Sequence, residues 1–376
     1  MKRKFDRLSD IFYRYKKKHP KRVMTLLVLI IVPLAAGLIL GYEMSGNTAM
    51  SIPTVIVNHD DSDFSHSFVS YISESEYFNV VEQADRDGRV EEMLYSGEAY
   101  VGVVIPEGLY SDMREGKAPQ VLTVYDGSNM SVMTTAKSAM TEILITLKTA
   151  YMMNVYEGKL GVVPADVMNH AIPVDVTYRM LFNPDRNFRN FLLPGMLAAL
   201  IQVGISCMGA DRAWETQGKK LPFTAHLKVV ILWGALGAVS IFLVMLEQYL
   251  FFGLPYRGTL IGGIVFTLLF SSVILMIGYI IGSVIADRTF ATQVSAILVL
   301  PTTILGGYTW PVLAMPVFFQ KLAVVIPFTY YGNAVRDLCL KPLEFHHLLP
   351  DIAIMCAFAA VELGILFLIR RREVAS

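Results

Sequence analysis

The densest set of chemically capable side chains in this sequence is Asn58, His59, Asp60, Asp61, Ser62, Asp63 and His66, in the run NHDDSDFSH. Asp, Asn and His are metal-ligand types, but the spacing lacks the central Gly and closing Glu of an EF-hand loop. A Ser/His/Asp triad can be drawn on paper from almost any cluster this polar. The simpler reading is a strand-to-helix turn, with Asp61 or Ser62 capping the helix that follows. No metal site and no catalytic residue is expected there. The three cysteines, Cys207, Cys339 and Cys356, are far apart and show no metal-ligand spacing. Two lie in apolar runs and only Cys339 falls in a candidate exposed loop, so no intrachain disulfide framework is implied. Two carboxylates sit in apolar runs: Glu362 in FAAVELGILF and Glu247 in VMLEQYLFF. An ionisable group in such a run is costly and is a functional hypothesis by default. Glu362 must face protein, be protonated or pair, whereas Glu247 lies nearer the end of its run, within reach of an interface. No G-x-x-x-x-G-K-[ST] phosphate loop occurs in the 376 residues, so ATP hydrolysis by these residues is not expected.

The elements around these residues are those of a membrane protein. Hydrophobic residues make up 54% and charged residues only 17%, and the mean hydropathy is +0.49. A soluble surface needs more charge than that. The net charge of zero offers no field for nucleic acid. A spanning helix needs about 20 mostly apolar residues. The first candidate covers 23–42, after a basic stretch, KRKFDRLSDIFYRYKKKHPKR, that is too long for a signal peptide; no A-x-A site follows, so a retained anchor is expected. Five more spans are expected at 189–209, 227–252, 259–285, 291–307 and 351–369. Basic flanks place both termini in the cytoplasm. Within residues 1–22, Phe5, Leu8, Ile11, Phe12 and Tyr15 recur at helical spacing among Lys and Arg, as in an interfacial amphipathic helix.

Between the first two spans, residues 43–187 read as a folded domain. The β-branched runs TVIVNHD, FNVVEQ, AYVGVVIP and PQVLTVYDGS alternate with the helical patterns SHSFVSYISES and RDGRVEEMLYSGE. That alternation argues for a small α/β domain. A long helix is expected over 129–158, and IPVDVTYRMLFNP returns to the membrane. The fold class is thus an integral membrane all-α bundle of six transmembrane helices with an inserted extracytoplasmic α/β domain, and the second bundle part is 188–376. In its 308–337 stretch, YTWPVLAMPVFFQKLAVVIPFTYYGNAVRD, Pro311, Pro316 and Pro327 interrupt the chain too often for one spanning helix.

Several segments, in order and along nearly the whole chain, resemble ABC transporter permeases of the type-2 exporter class. They are IPTVIVNHDDSDFSHSFVSYI, GEAYVGVVIPEGLYSDMREGKAPQVLTVYDGSNMSV, LFNPDRNFRNFLLPGMLAALI, IIGSVIADRTFATQVSAILVLP and LGGYTWPVLAMPVFFQKLAVVIPFTYYGNAVRDLCLKP. The resemblance implies a dimeric permease, with an identical or homologous second copy, moving a hydrophobic or amphipathic cargo such as a drug, lipid or peptide-like molecule out of the cytoplasm or inner leaflet of a bacterial cell membrane. It implies two copies of a separate ATPase subunit, which would use ATP and Mg, and no cofactor on this chain. It places a cytoplasmic coupling loop at 210–226, with Asp211, Arg212, Glu215 and Thr216 facing the ATPase. The loop reads DRAWETQGKKL, which departs from the family's E-R-E-x-G-T form. It implies a translocation path along the second and fifth spans, supplying Gln202, Ser206, Thr292, Gln293, Ser295, Thr302 and Thr303, to which Glu362 is added from its place near the middle of the last span. The 308–337 stretch then becomes a re-entrant hairpin closing the exit, with Tyr308, Trp310, Pro311 and Pro327 as the external gate. Non-helical backbone at membrane depth is tolerated where it packs on protein or lines a wet cavity. Tyr308, Trp310, Tyr330 and Tyr331 are interfacial residue types, expected at headgroup level. Two other readings fit the elements: a membrane receptor or anchor with an external sensing domain, and a proton-coupled secondary transporter using Glu362.

Overall fold

A computed structural model of the protein describes residues 20–46, 49–160 and 181–375. Residues 1–19 of the interfacial helix expected over 1–22, and most of the returning segment, lie outside the described residues. The chain divides into two compact units, Met1–Asn47 with Met180–Ser376, and Thr48–Arg179.

The inserted unit is an α/β domain. Strands β1 (Ile52–Asn58), β2 (Phe78–Ala84), β3 (Val101–Ile105) and β4 (Leu122–Tyr125) form one sheet in the order β2-β1-β3-β4. The pairs β1–β2 and β1–β3 are parallel and β3–β4 is antiparallel. Helices α2 (Asp63–Glu74), α3 (Gly88–Ser96), α4 (Leu109–Arg114) and α5 (Met130–Leu160) complete it. Strand β1 is buried on both faces, as a parallel strand between helical layers must be. Ile52 and Ile56 pack with Phe68, Ile72 and Met140 on one face. Val55 and Val57 pack with Val90 and Met93 on the other, as the strand's period of two requires. The polar run at 58–66 is the turn between β1 and α2. Ser62 is the N-cap, accepting from the Ser65 amide at 3.1 Å, and the His59–Asp87 and His66–Asp61 pairs lie on the surface.

The other unit is a helical bundle. Its long helices are α1 (Pro20–Glu43), α6 (Phe188–Trp214), α7 (Phe223–Phe252), α8 (Leu260–Val284) and α13 (Leu349–Ala375). A fifth span in chain order is built from α9 (Arg288–Val299) and the short α10 (Thr302–Leu305). Among the described residues, six segments are long and apolar enough to cross a membrane. Helix α6 is the centre, packing against α1, α7, α8, α9 and α12 (Pro327–Leu340). It approaches α8 backbone to backbone: a Cβ on Gly278 or Gly282 would run into the carbonyl of Ser206 or Ala210, and one on Gly209 into that of Leu275. Without a hydrophobic drive between helices in lipid, such small-residue contact is what lets two spans pack closely. The hairpin follows α10 as a 3-10 turn at Val312–Ala314, then α11 (Val317–Ala323) and α12.

Three expectations change here. Asp211 to Trp214 form the last turn of α6, not a loop, because the helix continues past its apolar run and finds partners for its charges. Tyr308 and Tyr331 are buried, not interfacial; the Tyr331 ring stacks on Phe270 at 3.9 Å and its hydroxyl pairs with Thr267 at 2.9 Å. Cys339 is buried in α12 and Cys356 is the exposed cysteine, since α12 turns an apolar face inward and α13 turns Cys356 outward.

Candidate functional site

At the end of the bundle where α6 finishes, five helices share a polar network. Arg212 is 2% exposed. It pairs with Asp211 and, at 2.9 Å, with Glu215, while its guanidinium lies 4.8 Å from the Trp233 ring centre on α7. Arg288, the first residue of α9, also pairs with Asp211 and lies over Trp214. Trp214 donates its Nε1–H to the Ala286 carbonyl at 2.6 Å. The Thr216 hydroxyl lies 3.2 Å from that of Tyr279, which is 2.7 Å from His226 Nδ1. Arg370 of α13 donates to Ser283 at 2.8 Å, and Gln217 donates to the carbonyls of Gly282 and Ile285. A buried ion pair is tolerable only when further hydrogen bonds satisfy its remaining atoms. The sequence reading named Asp211, Arg212, Glu215 and Thr216 but missed Trp214, Gln217, His226, Tyr279, Arg288 and Arg370. The available signal was charge at the ends of three apolar runs, which it used for orientation rather than pairing.

Further along, α6 meets α9 and α10 through side chains that satisfy one another. Gln202 Nε2 donates to Thr302 Oγ1 at 3.2 Å, the hydroxyls of Ser206 and Ser295 are 2.6 Å apart, and Cys207 reaches the Thr292 carbonyl at 3.5 Å. Thr303 is half-buried, and Gln293 is exposed on the face of α9 away from this seam. Beside the seam, a groove of about 760 Å³ runs between α1, α6 and α9, lined by Leu29, Val32, Leu200, Gly204, Cys207 and Thr292, with Asp211 and Arg288 at one end. The walls are mostly apolar, which suits the tail of an amphiphile.

At the opposite end of α6, the hairpin is tied in by Tyr308. Its hydroxyl accepts from the Gly195 amide at 2.8 Å, and the Phe191 and Leu192 carbonyls are each 3.0 Å away. Burial pushes this phenol above its ordinary pKa, so it keeps its proton and can donate. Arg336 of α12 lies 4.9 Å from the Tyr308 ring centre and 4.6 Å from that of Phe191. Trp310 and Pro311 are exposed, and Pro327 opens α12 at a position where its missing N–H costs nothing. The two membrane carboxylates are both buried. Glu247 lies in α7 next to Gln248, which donates to its Oε1 and to the Gly37 carbonyl of α1. Glu362, 8% exposed in α13, has no hydrogen-bond partner for its Oε2 among the described residues.

An apolar-surfaced bundle of six spans with polar groups turned inward and an α/β domain inserted after the first span defines a multi-pass membrane protein. Residues 22–369 match the model of the ABC-2 family transporter proteins, and the chain belongs to that family as a membrane component. Among its relatives is ABC transporter G family member 20 of Dictyostelium discoideum, 26% identical over 204 residues, covering 52% of this chain and 27% of that protein. The probable multidrug ABC transporter permease YbhS of Escherichia coli is 24% identical over 211 residues, covering 53% and 56%. ABC transporter G family member 23 of Dictyostelium discoideum is 20% identical over 346 residues, covering 89% and 47%. The chain therefore spans about half, or less, of the length of these curated relatives. No solved structure matches.

Proposed function

We propose that the chain is the permease subunit of an ATP-driven exporter that moves a hydrophobic or amphipathic cargo across a bacterial cytoplasmic membrane, as a dimer powered by two copies of a separate ATPase subunit. The termini and the Arg212 end face the cytoplasm in this reading, and the hairpin faces out. The observation that carries it is the exposed Gln293 on a spanning helix, in a chain of the ABC-2 family. A bare amide facing hydrocarbon is costly, so that face of α9 belongs against a second permease copy or a wet path. The cargo passes along this face and the α6–α9 seam, where Gln202, Ser206, Thr292, Ser295, Thr302 and Thr303 supply polar groups. Asp211 and Arg212 act inside the bundle, and the ATPase pushes on the exposed Gly218, Lys219 and Lys220 beside Glu215 and Thr216.

The test is reconstitution. The tagged chain is expressed with the ATPase subunit of its genomic neighbourhood and placed in inside-out vesicles with a fluorescent amphipathic dye. ATP-dependent dye uptake, lost on removing the ATPase, is expected. Uptake driven by a proton gradient without ATP would replace this reading with a secondary transporter. Failure of any ATPase subunit to copurify would replace it with a receptor or anchor.

A further inference from the structure

Two of the described long helices carry a proline in their interior, and each is braced beside it in a different way. Pro33 of α1 has no N–H to give to the Leu29 carbonyl four residues back. Ser240 of α7 donates to that carbonyl at 2.7 Å, so one long helix repairs another. Pro194 of α6 likewise has no N–H to give to the Asn190 carbonyl four residues back. Beside that gap the hairpin takes hold of the helix backbone: the Tyr308 hydroxyl takes the Gly195 amide and donates to the Phe191 or Leu192 carbonyl. A side-chain phenol thus bonds the backbone on either side of the proline. Gly195 is what admits it, because a Cβ there would fall inside the Tyr308 ring. The ring is held from the hairpin side, edge-on to Phe328 at 6.1 Å and under the Arg336 guanidinium that also covers Phe191.

We propose that Tyr308 is a positioning residue that locks the proline break of α6, so that residues 188–193 and the hairpin stay together while the exit is closed. Release of the phenol turns Pro194 into the hinge of outward opening. This deepens the exporter reading and its gating step rests on it. The physical switch is water. In a dry bundle, breaking the phenol's bonds to the Gly195 N–H and the Phe191 or Leu192 carbonyl without replacing them is costly. Once the hairpin lifts and water enters, the same groups are satisfied by solvent and the cost of opening falls. A lock made of one hydroxyl is therefore firm when dry and weak when wet. The Ser240–Leu29 repair has no such freedom, since its two helices pack along their length.

The test uses the full chain in lipid nanodiscs and hydrogen exchange of the peptide that contains Gly195. Tyr308→Phe keeps the ring and removes the hydroxyl. It is expected to speed exchange at Gly195 about tenfold, the scale of one lost hydrogen bond, with exchange in the β-sheet unchanged. Pro194→Ala removes the ring that breaks the helix and lets the Gly195 amide bond the Phe191 carbonyl within a regular helix, so Tyr308→Phe in that background is expected to change exchange by less than about twofold. Equal exchange in wild type and Tyr308→Phe would overturn the lock. An effect of Tyr308→Phe that survives undiminished in Pro194→Ala would overturn it too, since a general loosening does not depend on the proline. If Tyr308→Phe fails to fold, Pro194→Ala alone decides: slower exchange at Gly195 than wild type supports a break held open, and unchanged exchange overturns it. With the ATPase present, Tyr308→Phe is expected to raise basal ATP hydrolysis and lower dye uptake per ATP at least threefold; unchanged coupling overturns the gating step. Exchange needs no ATPase, so loss of the exporter reading and loss of the lock are separate results.

Discussion

The inserted domain and the bundle use the same charged residues in opposite ways. In the domain, Arg89 reaches Glu82 at 2.9 Å and lies near Glu92 and Glu98, and Lys117 bridges Asp112 and Glu115, all on the surface with water at hand. Its core is Ile, Val, Phe and Met. In the bundle, Arg212 and Asp211 are buried, with Arg288 half-buried against them, and the exposed side chains are Leu, Ile, Val and Phe. The domain's ion pairs are screened, so each contributes little. The bundle's pairs are desolvated, so breaking one strands its partner. Polar groups decorate the first unit and assemble the second.

The largest test of that contrast is steric. Gly278→Leu must push a side chain into the Ser206 carbonyl, where backbone meets backbone and neither can yield. A loss of about 3 kcal/mol or more is expected, seen as collapse of monodisperse protein in detergent. Gly364→Leu on α13, where a Cβ meets nothing within 4 Å, should leave the elution profile intact. Equal tolerance of both would mean that α6 and α8 do not rely on close approach.

Next comes charge. Arg212→Met leaves Glu215 without this cation and Asp211 with Arg288 as its remaining guanidinium partner here. It should cost about 3–5 kcal/mol and lower the unfolding midpoint of the whole bundle. The matched change in the domain, Arg86→Met beside Glu92, breaks an exposed pair and should fall within about 1 kcal/mol. Comparable losses would erase the distinction between the two units. Glu362→Leu probes the reverse case, a buried carboxyl whose Oε2 has no partner among the described residues. Replacing it with a hydrocarbon should raise the midpoint, by about 1–3 kcal/mol. A fall in the midpoint would show that the carboxyl is well paired. Lost transport with a raised midpoint would mark it as working rather than structural.

The same contrast explains what could be read in advance. The four strands and three of the domain's helices were legible because a soluble α/β unit separates inside from outside within each element, by a period of two or 3.6. Ser62 as a cap was legible because capping is local. The six spans were legible by length and apolarity. Which helix touches which was not, because α7 and α8 are apolar all round and carry no face. Tyr308 is a case in point. Its residue type suggested the interface, and its partners are backbone groups of α6 more than a hundred positions earlier, which no local pattern reveals. Asp211 and Arg212 read as an exposed loop because the partners that bury them, Trp233 and Arg288, come from other helices.

The smallest effect is in the domain, and it is a matter of acid. The hydrogen bond from Arg89 holds the Glu82 carboxyl below its ordinary pKa of 4.5, against a smaller opposing push from burial. A carboxyl with a lowered folded pKa contributes stability that is complete above the unfolded value and is lost as pH falls through the folded one. The contribution should therefore be constant from neutral pH down to roughly 5 and fade only below the ordinary carboxylate value. Hydrogen exchange in β2 and α3, corrected for the intrinsic rate at each pH, reads it directly. Wild type should lose protection by a few-fold more than Arg89→Met does over the interval from about pH 5 to pH 3, because the variant has no bond left to lose. Identical acid profiles would show that even this bidentate surface pair is idle.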